Sequence, residues 1–190
     1  MLQPPSQSVL AVPAEYSPAE REILLQLAHR AIDARLHRHP LELTLSSPHL
    51  AEPRGAFTTL HLHGELRGCI GYVLPVATLY KTIAQTAAAA AFEDPRFEPV
   101  TAAEASELKI EISVMSPLFA LTPDRVEVGK HGLLISFENR RGLLLPQVPI
   151  EHGWDGETFL NETCRKACLP LDAWRLGARI EAFTAEVFGE

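Results

Sequence analysis

The chain has 190 residues, of which 46% are hydrophobic and 22% charged, and its formal net charge at pH 7 is −7. This length suits one substantial core, or one domain with a smaller lobe, and the composition is that of a globular protein rather than a disordered or membrane-spanning one. The acidic balance argues against non-specific binding to nucleic acid or anionic lipid, because such binding needs clustered lysine and arginine. We therefore expect no nucleic-acid partner and no membrane partner.

The three cysteines, Cys69, Cys164 and Cys168, form an odd number at unrelated spacings. This pattern suits free thiols in a reducing compartment better than a disulfide framework. Residues 1–16 contain prolines but neither a basic flank nor an apolar core of signal-peptide length, so they indicate a flexible arm rather than a secretory signal. We expect a cytoplasmic protein whose folded part spans residues 17–190.

The first predicted element is a helix. Ser17 and Glu20 form a capping-box pattern with a proline at the first helical position, and apolar residues then recur at helical spacing to about Arg38. His37 and His39 lie near the end of this helix. We expect them to complement the helix dipole or to face solvent rather than to bind a metal.

A β-hairpin is predicted next, with strands at residues 56–62 and 65–73. A three-residue loop with Gly64 in the left-handed position would set Thr59 opposite Arg67. This register segregates three apolar from three polar side chains. One face would then carry Leu60, Leu66 and Ile70, and the other face would carry His61, Arg67 and Cys69.

The rest of the chain alternates irregularly between helical and strand patterns. These are a helix at 77–92 whose alanines at 87–91 should pack closely on a sheet, a strand at 109–115, a hairpin within 126–146, a helix capped by Asp155, and a final strand at 180–188. Asp94 and Arg96 are expected to tie the turn that ends the second helix. The predicted fold class is α+β, with a mainly antiparallel sheet flanked by helices.

The segment most indicative of chemistry is LRGCIG at residues 66–71. Cys69 offers a nucleophilic thiol, and Arg67 is a permanent cation that could stabilise a thiolate. Gly68 and Gly71 would let a backbone or a ligand approach closely. The alternative is structural, with the cysteine in the core and the arginine bound to a carboxylate.

Two other segments could supply partners for this thiol. Glu111 is a carboxylate on the face of the strand at 109–115, where it could orient the site or pair with the arginine of the motif. Lys130 and His131 lie in a turn bounded by glycines at 129 and 132. His131 is suited to act as general base and Lys130 to bind substrate. An ordinary hairpin entry with two polar side chains is the alternative.

Two pairs of potential metal ligands occur in the sequence. His61 and His63 could lie on one strand face, but no cysteine or carboxylate stands nearby at ligand spacing. Cys164 and Cys168 are four residues apart on a predicted helix, in its apolar stripe, which favours core packing. We therefore predict no metal and no cofactor.

In combination, these segments resemble the AMMECR domain family. The resemblance rests on residues 66–71, 94–97, 111–117 and 129–132, followed by 144–148 and 153–155. It implies an α+β fold with a larger and a smaller lobe, and the hexapeptide near the cleft between them. Prokaryotic members are placed in the AmmeMemoRadiSam system, which implies a Memo-like protein and a radical-SAM protein as partners.

The resemblance does not define a reaction, so two hypotheses stand. The first is an enzyme or enzyme component that helps to modify an unknown target through a cleft containing Cys69, His131, Arg67, Glu111 and Lys130. The second is a non-catalytic binding or adaptor module that recognises a peptide or protein in the same cleft.

Overall fold

The computed structural model describes residues 14–43 and 47–190, and the chain folds into two compact units. The N-terminal unit contains Ala14–Ser116 and Glu186–Glu190, and the C-terminal unit contains Pro117–Ala185. The helices are α1 (Pro18–His37), α2 (Leu79–Phe92), α3 (Ala102–Ala105), α4 (Gln147–His152) and α5 (Gly156–Lys166). The strands are β1 (Ala56–Leu62), β2 (Glu65–Tyr72), β3 (Lys109–Met115), β4 (Phe119–Ala120), β5 (Gly132–Phe137), β6 (Arg140–Leu144), β7 (Arg179–Phe183) and β8 (Ala185–Gly189).

The sheet of the N-terminal unit has the strand order β2-β1-β3-β8, and α1 and α2 pack on one of its faces. Cross-strand pairs of buried residues line that face: Leu60 lies beside Ile110, and Thr58 beside Ile112. The alternate residues point the other way, because side chains along a strand alternate between faces. We call this opposite side the second face, and β1 presents Phe57, Thr59 and His61 on it.

The helices of this unit follow their sequence signals. The predicted capping box is confirmed: Ser17 accepts a hydrogen bond from the backbone N–H of Glu20, and the Glu20 carboxylate accepts from the N–H of Ser17. The alanine run of α2 also packs on the sheet as predicted, since Ala87 and Ala90 are buried. Short side chains allow this close approach of helix to strands.

The hairpin between β1 and β2 differs from the prediction. Its loop has two residues, His63 with φ 52° and Gly64 with φ 84°, and Leu62 pairs directly with Glu65. Two successive positive φ values are those of a type I′ turn, whose twist matches the twist of paired strands. A histidine in this conformation is uncommon, and the sequence pattern therefore favoured the three-residue loop.

A β-bulge then changes the register a second time. His61 pairs with Leu66, but the next pair joins Leu60 to Gly68, so Arg67 is an extra residue on β2. Such an insertion re-aims the side chains around it. Leu66 lies before the bulge, and because the two-residue turn pairs it with His61, it lies on the second face and is 42% exposed, which corrects the predicted segregation.

The C-terminal unit has its own sheet, in the order β4-β7-β5-β6, and its own core. Helix α5 packs against β5 and β6, and Asp155 caps its start as predicted by accepting from the N–H of Thr158. Cys164 is buried in this core, as expected. Cys168 is exposed beyond the end of α5 with a φ of 57°, so it does not belong to the predicted apolar stripe.

The last part of the chain forms two strands instead of the predicted single one. Thr184 separates β7, which belongs to the sheet of the C-terminal unit, from β8, which belongs to the sheet of the N-terminal unit. The alternating pattern runs through both strands, so it marks their faces but not the change of sheet. The α+β class and the antiparallel pairing are confirmed.

Of the arm predicted at residues 1–16, the first thirteen lie outside the described residues. Tyr16 is buried, and the N–H of Glu15 donates to Glu186 of β8 at 2.5 Å, so the end of that segment packs on the N-terminal unit. All three cysteines are free thiols, as predicted. Within the described part of the chain, no helix is long and apolar enough to cross a membrane.

Candidate functional site

Cys69 lies on the second face of the N-terminal sheet, in a row across three strands. It pairs with Thr59 of β1, and Thr59 pairs in turn with Glu111 of β3. Directly opposed residues on neighbouring strands lie roughly 4.5–5.5 Å apart, so the thiol and the carboxylate flank Thr59 on a single face. The structure therefore brings together two of the predicted site residues and adds a hydroxyl between them.

The backbone of Cys69 is bound by residues beyond its own hairpin. Its N–H donates to Oδ2 of Asp94 at 2.9 Å, and its carbonyl accepts from a guanidinium nitrogen of Arg96 at 3.4 Å. β2 is an edge strand, whose outward N–H and C=O groups would otherwise lack partners in the sheet. Asp94 and Arg96 thus take the place of a neighbouring strand at this one residue.

The pair that holds Cys69 is itself tightly bound. The buried Asp94 carboxylate accepts from the backbone N–H of Arg96 at 3.1 Å and from its guanidinium at 2.9 and 2.7 Å. These Arg96 bonds, together with the one from the Cys69 N–H, hold the pKa of Asp94 far below its ordinary value despite burial. The pKa of Arg96 is raised, chiefly by its bond to Asp94. The turn predicted to end the second helix therefore also fixes the thiol-bearing strand.

Cys69 is neither fully buried nor fully exposed. The side-chain hydroxyl of Thr59 donates to Sγ at 3.3 Å, and the residue is partly exposed. Arg96 is 54% exposed in its side chain, next to the carbonyl of Cys69. A thiol in a fixed position beside a solvent-accessible guanidinium suits the recognition of an anionic or polarised group.

Arg67, predicted as the cation of the site, is engaged elsewhere. Its guanidinium donates to both carboxylate oxygens of Glu104 in α3, at 3.0 and 3.3 Å. This pairing, with bonds from Thr101, lowers the pKa of Glu104 to about 2. The predicted partnership of Arg67 with Glu111 is therefore wrong, because the bulge re-aims the arginine toward α3. Within the described ranges Glu111 forms no ion pair.

The two glycines beside Cys69 serve packing. A Cβ on Gly68 would lie 2.2 Å from the carbonyl oxygen of Ala90, so only glycine lets α2 approach β2 there. A Cβ on Gly71 would lie 2.4 Å from the ring of Phe57. The predicted close approach is thus made by a helix backbone and an aromatic side chain, and a substrate-binding role for Gly68 and Gly71 stays a prediction.

Lys130 and His131 belong to the C-terminal unit and bond to a residue just before them. The N–H of Glu127 donates to Nδ1 of His131 at 3.1 Å, and Nζ of Lys130 bonds the Glu127 carboxylate at 2.8 Å. Burial, the main cause, lowers the pKa of His131, and Phe119 packs edge-on against its ring. A neutral imidazole whose Nδ1 accepts a backbone hydrogen bond carries its proton on Nε2, so neither nitrogen is free to act as a base.

The hypothesis of a metal at His61 and His63 finds no support in the geometry. His63 lies in the turn, with Nε2 3.7 Å from Glu107, whereas His61 lies on β1 between Leu66 and Lys109. Across residues 14–43 and 47–190, the groups of three side chains that could hold a metal ion include neither His61 nor His63.

Three residues of this site, Thr59, Asp94 and Arg96, were not predicted from the sequence. Thr59 was placed opposite Arg67 by the wrong register, and Asp94 and Arg96 were assigned only to their turn. Their link to Cys69 spans more than 20 residues of sequence and runs through backbone atoms, which carry no residue-specific pattern. Glu104 did carry a signal, since it completes a capping box with Thr101, but that signal does not reveal an arginine partner.

The protein is of the α+β class, because it has two antiparallel sheets packed against helices. Its candidate site is a cysteine on an edge strand, held by the turn that contains Asp94 and Arg96. The chain belongs to the AMMECR1 family, because the family model matches residues 25–188. The resemblance inferred from its motifs is thereby confirmed.

Similar proteins come from archaea. Protein TK0174 of Thermococcus kodakarensis is 42% identical over 183 residues, which cover 89% of each chain. Protein MK0488 of Methanopyrus kandleri is 42% identical over 183 residues, covering 90% of this chain and 88% of that protein. The crystal structure of the uncharacterized protein PH0010 from Pyrococcus horikoshii is similar, with a TM-score of 0.68, 40% identity and coverage of 89% and 90%.

Proposed function

We propose that this chain is an enzyme, or the thiol-bearing component of one, in which Cys69 acts as nucleophile in the modification of a target. One observation carries the proposal: Cys69 is partly exposed while its backbone is bound on both the N–H and the C=O side by Asp94 and Arg96. A catalytic nucleophile needs both access and a fixed position, and a core cysteine needs neither.

In this scheme each group around the sulfur has a distinct role. Sγ of Cys69 attacks an electrophilic carbon of the substrate and forms an S–C bond, and the leaving group departs with the proton that the thiol releases. Arg96 binds an anionic part of the substrate through its exposed guanidinium. Glu111, on the far side of Thr59, accepts a hydrogen bond from a donor group of the substrate.

Alkylation of the native full-length chain with iodoacetamide, mapped by mass spectrometry, tests the access that this role requires. We expect Cys69 to react, Cys164 to stay protected by its burial, and the exposed Cys168 to serve as the internal control. Protection of Cys69 under conditions that fully alkylate Cys168 would contradict the proposal.

Genetic complementation of a strain that lacks the gene separates reactivity from packing. If Cys69 is a nucleophile, both Cys69→Ser and Cys69→Ala should fail to complement, although both should fold. Cys168→Ser is the matched control and should complement fully. Complementation by both Cys69 variants would remove the nucleophile role.

The second candidate function is a binding or adaptor module, and an exposed apolar side chain of β2 favours it. Leu66 pairs with His61 on the second face and is 42% exposed. A peptide partner would contact this side chain while Cys69 only packs. In that case Leu66→Ser should abolish partner capture, and Cys69→Ala should leave it unchanged.

We further propose that the chain acts beside a Memo-like protein and a radical-SAM protein, and that it does so in the cytoplasm. Membership of the AMMECR1 family supports the partnership through the gene association that the family implies. Co-purification of the tagged full-length chain with these two proteins is the test. Their absence from the eluate, with the chain folded and in excess, would contradict it.

A further inference from the structure

The C-terminal end of α1 brings together three metal-ligating side chains that the site at Cys69 does not use. Nδ1 of His37 lies 2.9 Å from one carboxylate oxygen of Asp33, and Nε2 of His39 lies 3.1 Å from the other. The candidate ligand atoms all lie within 4.8 Å of one another. All three side chains are at least half exposed, so an ion can reach them from solvent.

Their meeting results from the way the helix ends. Asp33 and His37 are one turn apart on the same face of α1, which sets their side chains side by side. Arg38 takes the left-handed conformation with φ 56° and reverses the chain, and the N–H of His39 donates to the carbonyl of Ala34. This reversal brings His39 back beside Asp33, although it lies outside the helix.

The geometry matches the demands of a small divalent ion. Zinc binds imidazole nitrogen and carboxylate oxygen at about 2.0–2.2 Å, so two ligand atoms of a tetrahedral site lie roughly 3.3–3.5 Å apart. Each histidine nitrogen lies near a different oxygen of Asp33, at 2.9 and 3.1 Å, so an ion bound through one oxygen has one nitrogen beside that oxygen and the other within 4.8 Å. In addition, Nδ1 of His39 lies 3.2 Å from the carbonyl of Pro40, and this bond orients the ring with Nε2 toward Asp33.

Two arginines of α1 near Asp33 bond other groups. Arg30 donates to the carbonyl of Glu42 at 2.8 Å, and Arg35 bonds the carboxylate of Glu93 at 2.8 Å. A second group of ligand-type residues, Glu15, His49 and Glu52, differs in this respect. There Arg54 bonds both carboxylates, at 2.6 and 2.9 Å, and already supplies the positive charge that a metal would bring.

We propose that Asp33, His37 and His39 form a surface site for one divalent transition-metal ion of the zinc type. The protein supplies two nitrogens and one oxygen, and the remaining coordination position faces solvent, where a water or an external ligand binds. This site lies at the end of α1, on no strand of the sheet that carries Cys69, and it does not depend on the function proposed for that thiol.

Titration of the full-length chain with zinc chloride, followed by calorimetry, tests the site. We expect one bound equivalent, and at least a tenfold loss of affinity in His37→Ala, in His39→Ala and in Asp33→Asn. His63→Ala is the matched control, because His63 is also exposed beside a single carboxylate but has no third ligand. It should bind zinc as the wild type does.

Several outcomes would overturn the site: no binding by the wild type, unchanged affinity in all three ligand variants, or loss of binding in His49→Ala instead. Circular dichroism checks that each variant is folded. Should a variant fail to fold, imidazole NMR signals of the wild type decide the matter. Zinc should shift the signals of His37 and His39 and leave that of His63 in place, and the reverse pattern would contradict the proposal.

Discussion

Two glycine-bounded segments carry the most chemically suggestive residues of this chain, and the fold treats them differently. At His131, Nδ1 of the ring accepts a hydrogen bond from the backbone N–H of Glu127, four residues earlier, and the ring is buried. At Cys69, the backbone is bound by Asp94 and Arg96, more than 20 residues away, and the residue stays partly exposed.

This difference separates a folding role from a positioning role. A polar side chain that closes its own turn and lies under the surface stabilises that turn, which is what buried polar groups with satisfied hydrogen bonds do. A residue held through its backbone by distant parts of the chain leaves its side chain free for other contacts. The following variants test whether the two segments really divide in this way, from the largest expected effect to the smallest.

Gly68→Ala should have the largest effect on stability. The new Cβ would lie 2.2 Å from the backbone oxygen of Ala90, and since backbone cannot step aside as a side chain can, we expect a loss above about 3 kcal/mol. Urea denaturation measures it. Gly129→Ala is the matched control in the other segment. Its new Cβ would contact the flexible end of the Ile150 side chain, and the alanine would have to adopt a positive φ, so we expect a loss of about 1–2 kcal/mol in the free energy of unfolding. Equal losses of unfolding free energy in Gly68→Ala and Gly129→Ala would contradict the difference between the two segments.

Asp94→Ala should come second. It removes the acceptor for the N–H of Cys69 and for Arg96, and a buried N–H left unsatisfied costs about 1–3 kcal/mol. We expect a total loss of about 2–3 kcal/mol in the free energy of unfolding, together with altered alkylation of Cys69. Asp124→Ala, an exposed substitution in the C-terminal unit, is the control and should change neither quantity. If Cys69 of Asp94→Ala is alkylated at the same rate as in the wild type, Asp94 and Arg96 do not position the thiol.

The same carboxyl gives a pH dependence of known sign. Because the folded pKa of Asp94 lies below its unfolded value, its stabilising contribution is complete above the unfolded pKa, near about 4. The contribution is lost as the pH falls toward the folded pKa. Below about pH 4, the wild type should therefore lose more unfolding free energy per pH unit than an Asp94→Asn variant does. If the free energy of unfolding of the wild type and of Asp94→Asn falls equally per pH unit, this role of the Asp94 carboxyl is contradicted.

Glu104→Gln should weaken the anchor of Arg67 by about 1–2 kcal/mol, because a partly buried guanidinium loses its charged partner. With a folded pKa of about 2, Glu104 contributes stability that is complete above its ordinary value and is lost between about pH 4.5 and 2. Denaturation at pH 7 and at pH 3 measures both effects. The difference between wild type and variant should shrink at the lower pH, and alkylation of Cys69 should stay unchanged.

His131→Gln should cost about 1–2 kcal/mol of stability, through the lost hydrogen bond from Glu127 and poorer packing against Phe119. Since burial lowers the pKa of His131, its contribution in the wild type is complete above about pH 6.5 and is lost as the pH falls below it. Unfolding at several pH values measures this. A fall in Cys69 reactivity at unchanged stability would instead support the predicted role of His131 as a base.

Thr59→Val should have the smallest effect on stability and the most local effect on chemistry. It keeps the shape of the side chain but removes the hydroxyl that donates to the sulfur. We expect the free energy of unfolding to change by less than about 1 kcal/mol, and the rate of Cys69 alkylation to change about threefold or more. Thr58→Val, on the helix-covered face, is the matched control for alkylation. Identical rates in Thr59→Val and wild type would remove Thr59 from the site.

Much of the fold was predictable because its signals are local. The capping box at Ser17, the strand at Lys109–Met115 and the N-cap at Asp155 all rest on residues within one turn or one strand of each other. The type I′ turn at His63 was missed because a non-glycine residue there takes a positive φ. The shorter turn and the missed bulge at Arg67 each shift the register by one residue, so Thr59 pairs with Cys69 and not with Arg67 as predicted.

By itself, the sequence determined the family, the α+β class and the prominence of Cys69, because these rest on motifs, periodicity and spacing. The tertiary structure alone decided which groups surround the thiol. It assigned Arg67 to Glu104, gave the backbone of Cys69 to Asp94 and Arg96, and enclosed His131 in its own turn. The physical reason is that ion pairs and edge-strand hydrogen bonds join residues far apart in the chain, and one inserted residue in a strand re-aims every side chain beyond it.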